Sequence, residues 1–361
     1  MRRLDVVSPL RVLRTRYLSL ILLVVVLGAL TWYAVSHRSE FAGLATVRPL
    51  EAASLPALWV LHSLVRGIRR RELLHHLGVD TSPREWFGLG VAAGLANLLT
   101  PFKGGSAVEA VYLKKRYRFP IALFGTYLLA SEAVFLTVAA FMGLLVSGLI
   151  YWVYHQIDYR IAAFFGGVSG VGIALLFLSP AILPQRKGRL LSAIHRGLVG
   201  WRNLRKKPSL LLYVALLGVA SLFVHACRTY LAYRALSIDV GFLPILLIAT
   251  TVQFATFVKL TPGNVGIIEG ATALVSRLLG IGFEEGLAAA GALRASSLLM
   301  FLTVGPLMTY LLGRELERAQ EAEDPTPPAK ASRRLRWSEK VRCRGVRSLR
   351  RDLARWREKR Q

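Results

Sequence analysis

Only two cysteines, Cys227 and Cys343, occur in 361 residues, which excludes a disulfide scaffold and a thiolate metal centre. Acids are also scarce: 21 Asp and Glu face 47 Lys and Arg, a net charge of +26. There is no His-Glu-x-x-His pair, no phosphate-loop lysine motif and no recognisable Ser, His and Asp set. The seven histidines are scattered, and His75-His76 read as a surface pair beside basic residues. These absences argue against an enzyme and leave no metal or cofactor to expect. What is abundant is apolar: 54% of the chain is hydrophobic and only 19% is charged, against about a quarter in soluble domains. Nucleic-acid binding and disorder both conflict with so apolar a chain. An integral membrane protein with its basic residues at the cytoplasmic face satisfies both the charge and the hydropathy.

An apolar run of about 20 residues crosses the hydrocarbon layer as a helix. The first is Tyr17 to Ser36, after a basic N-terminus. It is longer than the core of about 7–15 residues in a cleaved signal peptide, although Ala34-Val35-Ser36 resembles a processing site. A shorter second run, Ala52 to Val65, ends at the cluster Arg66, Arg69, Arg70 and Arg71. Trp86 to Thr100 stops at Pro101, while Phe119 to Ile150 ends in Tyr151, Trp152 and Tyr154, as at a membrane–water boundary. Ile161 to Leu183 is the fifth run, and the loop Gln185 to Pro208 then carries eight Lys and Arg with no acid. Ser209 to Cys227, Val240 to Lys259 and about Leu287 to Leu312 complete the set, the middle one stopping at Pro262-Gly263-Asn264.

The chain also repeats itself. Leu99-Thr100-Pro101-Phe102-Lys103-Gly104-Gly105 with Glu109 matches Leu260-Thr261-Pro262-Gly263-Asn264-Val265-Gly266 with Glu269. Upstream, Leu77-Gly78-Val79-Asp80 matches Leu236-Ser237-Ile238-Asp239, with Arg69 and Arg228 each eleven residues before the Asp. Downstream, Glu132 and Arg294 fall at equivalent places. With the basic clusters placed in the cytoplasm, Trp86–Tyr117 becomes a hairpin that enters, breaks at Pro101 and returns; its counterpart around Pro262 opens from the opposite face. The expected fold is an all-α integral membrane protein with six full transmembrane helices and two opposed re-entrant hairpins in a 4+4 inverted repeat. Residues 1–16 form a basic cytoplasmic N-terminus, 17–312 the membrane domain with halves at about 17–150 and 161–312, and 313–361 a basic cytoplasmic tail. On this topology the cytoplasmic segments hold 39 Lys and Arg against 13 acids, so the whole excess of charge is an orientation signal.

Charges inside a span are costly, so they pair or line a pathway. Glu132 and Arg294, of opposite sign, are expected to neutralise one another between the halves or to face a polar cavity. The half-helices after the breaks Pro101 and Pro262 offer unpaired N–H groups, and Gly104, Gly105, Gly263 and Gly266 allow a ligand to approach. Lys103 and Lys259 add positive charge, Asn264 lies in the second break, and Glu109 and Glu269 either join the locus or cap its amides. An anionic headgroup such as a phosphate suits such a site. The spaced glycines Gly88, Gly90 and Gly94 suit close helix packing. The tail from Lys330 carries 14 Lys and Arg with three acids and apolar residues near helical spacing, which suits an anionic inner leaflet.

The Pro101–Glu109 segment with Lys114-Lys115-Arg116, Glu132, the run Pro262 to Glu269 and Arg294 together resemble the transmembrane, flippase-like region of lysylphosphatidylglycerol synthases over about residues 10–315. The resemblance implies a lipid-translocating domain, here a stand-alone member without the soluble aminoacyltransferase domain. It suggests flippase- or scramblase-like movement of an anionic or polyprenyl-linked lipid by alternating access. The alternative is a non-catalytic component that binds a lipid-linked substrate for lipid glycosylation or envelope assembly. Expected partners are a phospholipid or polyprenyl-linked lipid and a partner enzyme or second copy, with nucleic acid disfavoured. The expected location is the inner (plasma) membrane, with both termini cytoplasmic.

Overall fold

The computed structural model describes residues 48–100, 104–155, 159–177, 206–257 and 261–323. The expected first span, Pro101, Lys103, Lys259, most of the 185–208 loop and the tail from 324 lie outside the described residues. Those described are helical throughout, without strands. The helices are α1 (Pro49–His76), α2 (Pro83–Leu99), α3 (Gly104–Tyr117), α4 (Ile121–Tyr154), α5 (Tyr159–Phe177), α6 (Pro208–Ala235), α7 (Phe242–Ala255), α8 (Ile267–Leu278) and α9 (Phe283–Glu323). A short 3-10 turn, Pro262–Asn264, separates α7 from α8.

Local chemistry explains the boundaries. Proline opens α1, α2 and α6, where its missing N–H is no loss because first-turn amides have no helical partner. Ser82 and Glu85 add a reciprocal capping box to α2. The C-termini of α1 and α6 are alike: Val79 N–H returns to Leu74 O at 2.9 Å, and Ile238 N–H to Tyr233 O at 3.0 Å. The intervening Gly78 and Ser237 take positive φ of 85° and 59°. Asp80 then pairs with His75, and Asp239 with Arg234. The order long, short, short, long thus occurs twice, as α1–α4 and α6–α9, around helices α1 and α6 of 28 residues each.

Three helices, α4, α6 and α9, are long and apolar enough to cross a membrane. By contrast α2, α3, α7 and α8 have 17, 14, 14 and 12 residues. At 1.5 Å per residue none of these four reaches across about 30 Å of hydrocarbon alone. Leu212, Leu216 and Phe223 on α6 and Phe141, Leu145 and Leu149 on α4 are exposed, as lipid-facing stripes are, and Tyr151 and Trp152 are exposed at the end of α4.

The most extensive packing is between α1 and α6. They run antiparallel, since Arg48 N–H, at the start of α1, donates to Ala235 O, at the end of α6, at 2.8 Å. Tyr233, Ile245, Ile248, Val275 and Leu55 join α6, α7, α8 and α1 in one buried cluster. Phe165 of α5 fills a second, against Ala140 of α4 and Leu247 of α7. Two sequence expectations change here. The second run is not a short segment ending at Val65, because α1 continues through the arginine cluster to His76. The last run does not stop at Leu312 but continues to Glu323. The chain divides into a compact unit to Arg314 and a second, Glu315–Gln361, whose described part is the end of α9.

The spaced glycines do serve packing. A Cβ at Gly94 of α2 would enter the ring of Phe301 on α9, whereas one at Gly125 of α4 would meet nothing. Gly94→Val should therefore destabilise the purified protein by about 1–3 kcal/mol through overpacking. Gly125→Ala should be neutral or stabilising by up to about 1 kcal/mol, and thermal unfolding in one detergent compares the two.

Candidate functional site

The site is built on two places where helices break inside the domain. Helix α2 ends at Thr100 in extended backbone, and α3 begins at Gly104. Asn97 Oδ1 accepts the Gly105 N–H at 2.8 Å, joining the two legs across the break. At their other ends Glu85 of α2 accepts hydrogen bonds from Tyr112 and Tyr117 of α3, at 2.8 and 2.7 Å, with Arg116 at 3.5 Å. Burial alone would raise the Glu85 carboxyl, but the Ser82 N–H and the Tyr117 and Tyr112 hydroxyls hold it below its usual range. Both ends of this hairpin are thereby tied together.

The second break is tighter. Gly263, Asn264 and Gly266 have φ of 62°, 55° and 82°, values that suit glycine and are tolerated by asparagine. Asn264 Nδ2 donates to Thr256 O at 3.0 Å, and the Gly266 N–H donates to Glu269 Oε2 at 2.8 Å. The turn packs on the end of α2, where a Cβ at Gly263 would lie 2.9 Å from Leu98 Cδ1, so the two breaks abut.

The short helix after each break holds one buried glutamate, and each of these two has its own arginine. Glu109 of α3 accepts from Arg70 Nε at 2.8 Å and Tyr127 Oη at 2.9 Å, while Arg70 Nη1 donates to Trp86 O at 3.0 Å. Glu269 of α8 accepts from Arg294 Nε at 2.6 Å, and the same guanidinium donates to Gly263 O at 2.7 Å and Asn264 O at 3.3 Å. Arg294 therefore binds both the acid and the bare carbonyls of the broken turn.

Helices α1–α4 and α6–α9 line a cavity of about 380 Å³. One face of α1 supplies Trp59, His62, Ser63, Arg66, Arg69 and Arg70, at helical spacing. Helix α6 supplies His225, Arg228 and Thr229; α4 supplies Tyr127, Ser131, Glu132 and Phe135. Five guanidinium groups meet three carboxylates among the described lining residues, a surplus of two positive charges. Arg69 and Arg228 are each only 5% exposed, and Arg66 is accessible from the cavity. Arg69 lies over the ring of Phe135, 4.4 Å from its centroid, with Nη1 buried and without a hydrogen-bond partner. Arg228 donates through Nη2 to Leu293 O and Ser297 Oγ, at 2.8 and 2.7 Å, but its buried Nε has no partner. His62 of α1 and His225 of α6 stack on one another, centroids 5.5 Å apart.

A family model described as the lysylphosphatidylglycerol synthase TM region matches residues 1–305. The chain belongs to this family. Among curated proteins it is similar to "Glycosyltransferase AglD" of Haloferax volcanii, 32% identical over 132 residues. That match takes in 36% of this chain and 21% of the relative, so the chain spans about a fifth of the protein it matches. Family membership makes it a membrane protein.

Within this family member the expected site residues separate into groups. Glu109, Glu132, Gly263, Asn264, Glu269 and Arg294 all line the cavity. Lys103 and Lys259 fall outside the described residues. Glu132 and Arg294, expected either to neutralise one another or to face a polar cavity, both line the cavity, and Arg294 pairs with Glu269, because the second break turns its carbonyls and Glu269 toward α9. The break amides are not open to a ligand at Gly105 and Gly266, whose partners are Asn97 and Glu269. The glycines Gly104 and Gly105 admit Thr100 and the Ala93 carbonyl rather than a guest. Arg66, Arg69, Arg70, His62 and His225 were not anticipated at the cavity; the i, i+3, i+7, i+10, i+11 spacing of Trp59, His62, Arg66, Arg69 and Arg70 was the available signal. The matching positions of Arg69 and Arg228 in the repeat were visible, and both lie here.

Arg294→Ala should cost about 3–5 kcal/mol, since it leaves Glu269 buried without its cation. Arg294→Met with Glu269→Met should recover part of that loss, whereas Arg66→Gln, at an accessible unpaired position, should change stability by less than about 0.5 kcal/mol. Thermal unfolding of the four proteins in one detergent reads the cycle.

Proposed function

We propose that this protein moves a lipid with an anionic headgroup between leaflets, without covalent chemistry, by alternating access. The observation that carries the reading is the surplus of guanidinium charge in a cavity bounded by both halves and by both helix breaks. In hydrocarbon such charge is costly unless water or a counter-charge visits it. A lipid headgroup brings that counter-charge, and its chains can remain in the surrounding apolar phase. The antiparallel α1 and α6 and the four short legs support two opposed four-element halves, with six full crossings and two re-entrant hairpins. Rocking of one half against the other along α1 and α6 would then open the cavity to each side in turn. The same reading places both termini and the basic tail at the cytoplasmic face of the plasma membrane.

A second reading is favoured by the match to part of a protein named as a glycosyltransferase. There the cavity would hold a lipid-linked substrate for a partner enzyme. Purified protein in liposomes with a fluorescent anionic phospholipid separates the two. Translocation above protein-free vesicles is expected, and Ser63→Trp, which fills the cavity from α1, should return the rate to that background. An unchanged rate in Ser63→Trp contradicts a path through this cavity; no lipid movement by the unmodified protein favours the second reading.

A further inference from the structure

We propose that Arg66, Arg69 and Arg228 form a binding site for a terminal phosphate dianion, as in a phosphate monoester or diphosphate headgroup, in preference to the single charge of a phosphodiester. The inference deepens the translocation reading and rests on it.

The charge count is the first argument. Arg70 is matched by Glu109 and Arg294 by Glu269, both in direct contact. Three guanidinium groups remain, and Glu132 is the one further carboxylate lining the cavity among the described residues, near enough for its charge to act on Arg66 and Arg69. A phosphodiester would cancel one of the two remaining charges. A phosphate monoester carries about −1.5 to −2 near neutral pH and would cancel both.

Unsatisfied donors are the second argument. Buried polar groups nearly always have partners, and a buried guanidinium nitrogen without one is costly. Arg69 Nη1, Arg228 Nε and His225 Nδ1 are three such buried nitrogens without a partner, all on residues that line the cavity. A tetrahedral phosphate with three free oxygens can accept from both arginines and from Arg66, in the charge-assisted geometry that guanidinium groups favour. A phosphodiester has only two free oxygens. Position is the third argument: Arg66 and Arg69 belong to α1 and Arg228 to α6, and all three line one cavity, so a phosphate held by them would join the two antiparallel helices.

Titrations of the full chain in phosphatidylcholine nanodiscs test this with farnesyl phosphate, dioleoylphosphatidylglycerol and inorganic phosphate. Farnesyl phosphate should bind at least about tenfold tighter than the phosphodiester lipid, and Arg69→Gln or Arg66→Gln should each weaken it about tenfold or more. Arg66 is accessible and unpaired, so its variant keeps the test valid if Arg69→Gln fails to fold. Inorganic phosphate should bind far more weakly; equal affinity would make this a soluble-anion site and overturn the lipid assignment. Equal affinity for the phosphodiester lipid, or indifference to both arginine variants, overturns the dianion site. Translocation of phosphatidylglycerol alongside that outcome would leave the transport reading standing, whereas absence of any translocation with tight farnesyl phosphate binding would overturn transport and leave the site.

Discussion

Backbone that breaks inside an apolar domain has to be satisfied by the protein itself: Arg294 with Glu269 does this at the second break, Asn97 accepts the Gly105 N–H at the first, and Arg70 with Glu109 braces the first hairpin. Arg294 holds Glu269 and the carbonyls of Gly263 and Asn264, fixing the second break. Arg70 holds Glu109 and the carbonyl of Trp86, tying α1 to both legs of the first hairpin. The pairs are not copies: one arginine comes from α1, which precedes its hairpin, the other from α9, which follows its broken turn. What is common to both is an acid in the short helix after the break, placed so that its charge and its arginine's cancel.

That cancellation decides what remains. With Glu109 and Glu269 engaged, the cavity retains Arg66, Arg69 and Arg228 with Glu132 nearby. Arg69 is stabilised by the face of Phe135, an interaction of about 0.5–2 kcal/mol that leaves its outer nitrogen without an acceptor. The breaks are therefore structural in their polar chemistry, and the groups available to a guest lie on the long antiparallel helices α1 and α6. A division of this kind suits a transporter, since the fold can stay satisfied while the guest site empties and fills.

Hydropathy and proline placement are local signals, and so the apolar helices among the described residues and both breaks were legible in the chain. The two C-terminal turns at Leu77–Asp80 and Leu236–Asp239 have matching hydrogen bonds and left-handed residues, as their similar sequences suggest. The place of the arginine cluster was not legible. A window over Ala52–Val65 registers where apolar character falls, not where a 28-residue helix ends, and the burial of Arg69 depends on helices distant in sequence. Read as an orientation signal, Arg66 and Arg69 lost their chemical meaning. Glu132 and Arg294 both line the cavity, one of the two expectations for them; that Arg294 pairs with Glu269 was not legible, because its contacts follow the path of the broken turn between α7 and α8.

The central claim is that one charged cavity between the halves is reached from each side of the membrane in turn. Single-cysteine labelling at Ser63→Cys, in protein with Cys227 and Cys343 replaced by alanine and reconstituted in one orientation, tests it most directly. The account predicts that a membrane-impermeant thiol reagent modifies this position from either side, and that an anionic lipid bound in the cavity slows both reactions. Modification from one side only, unaltered by lipid, would contradict it.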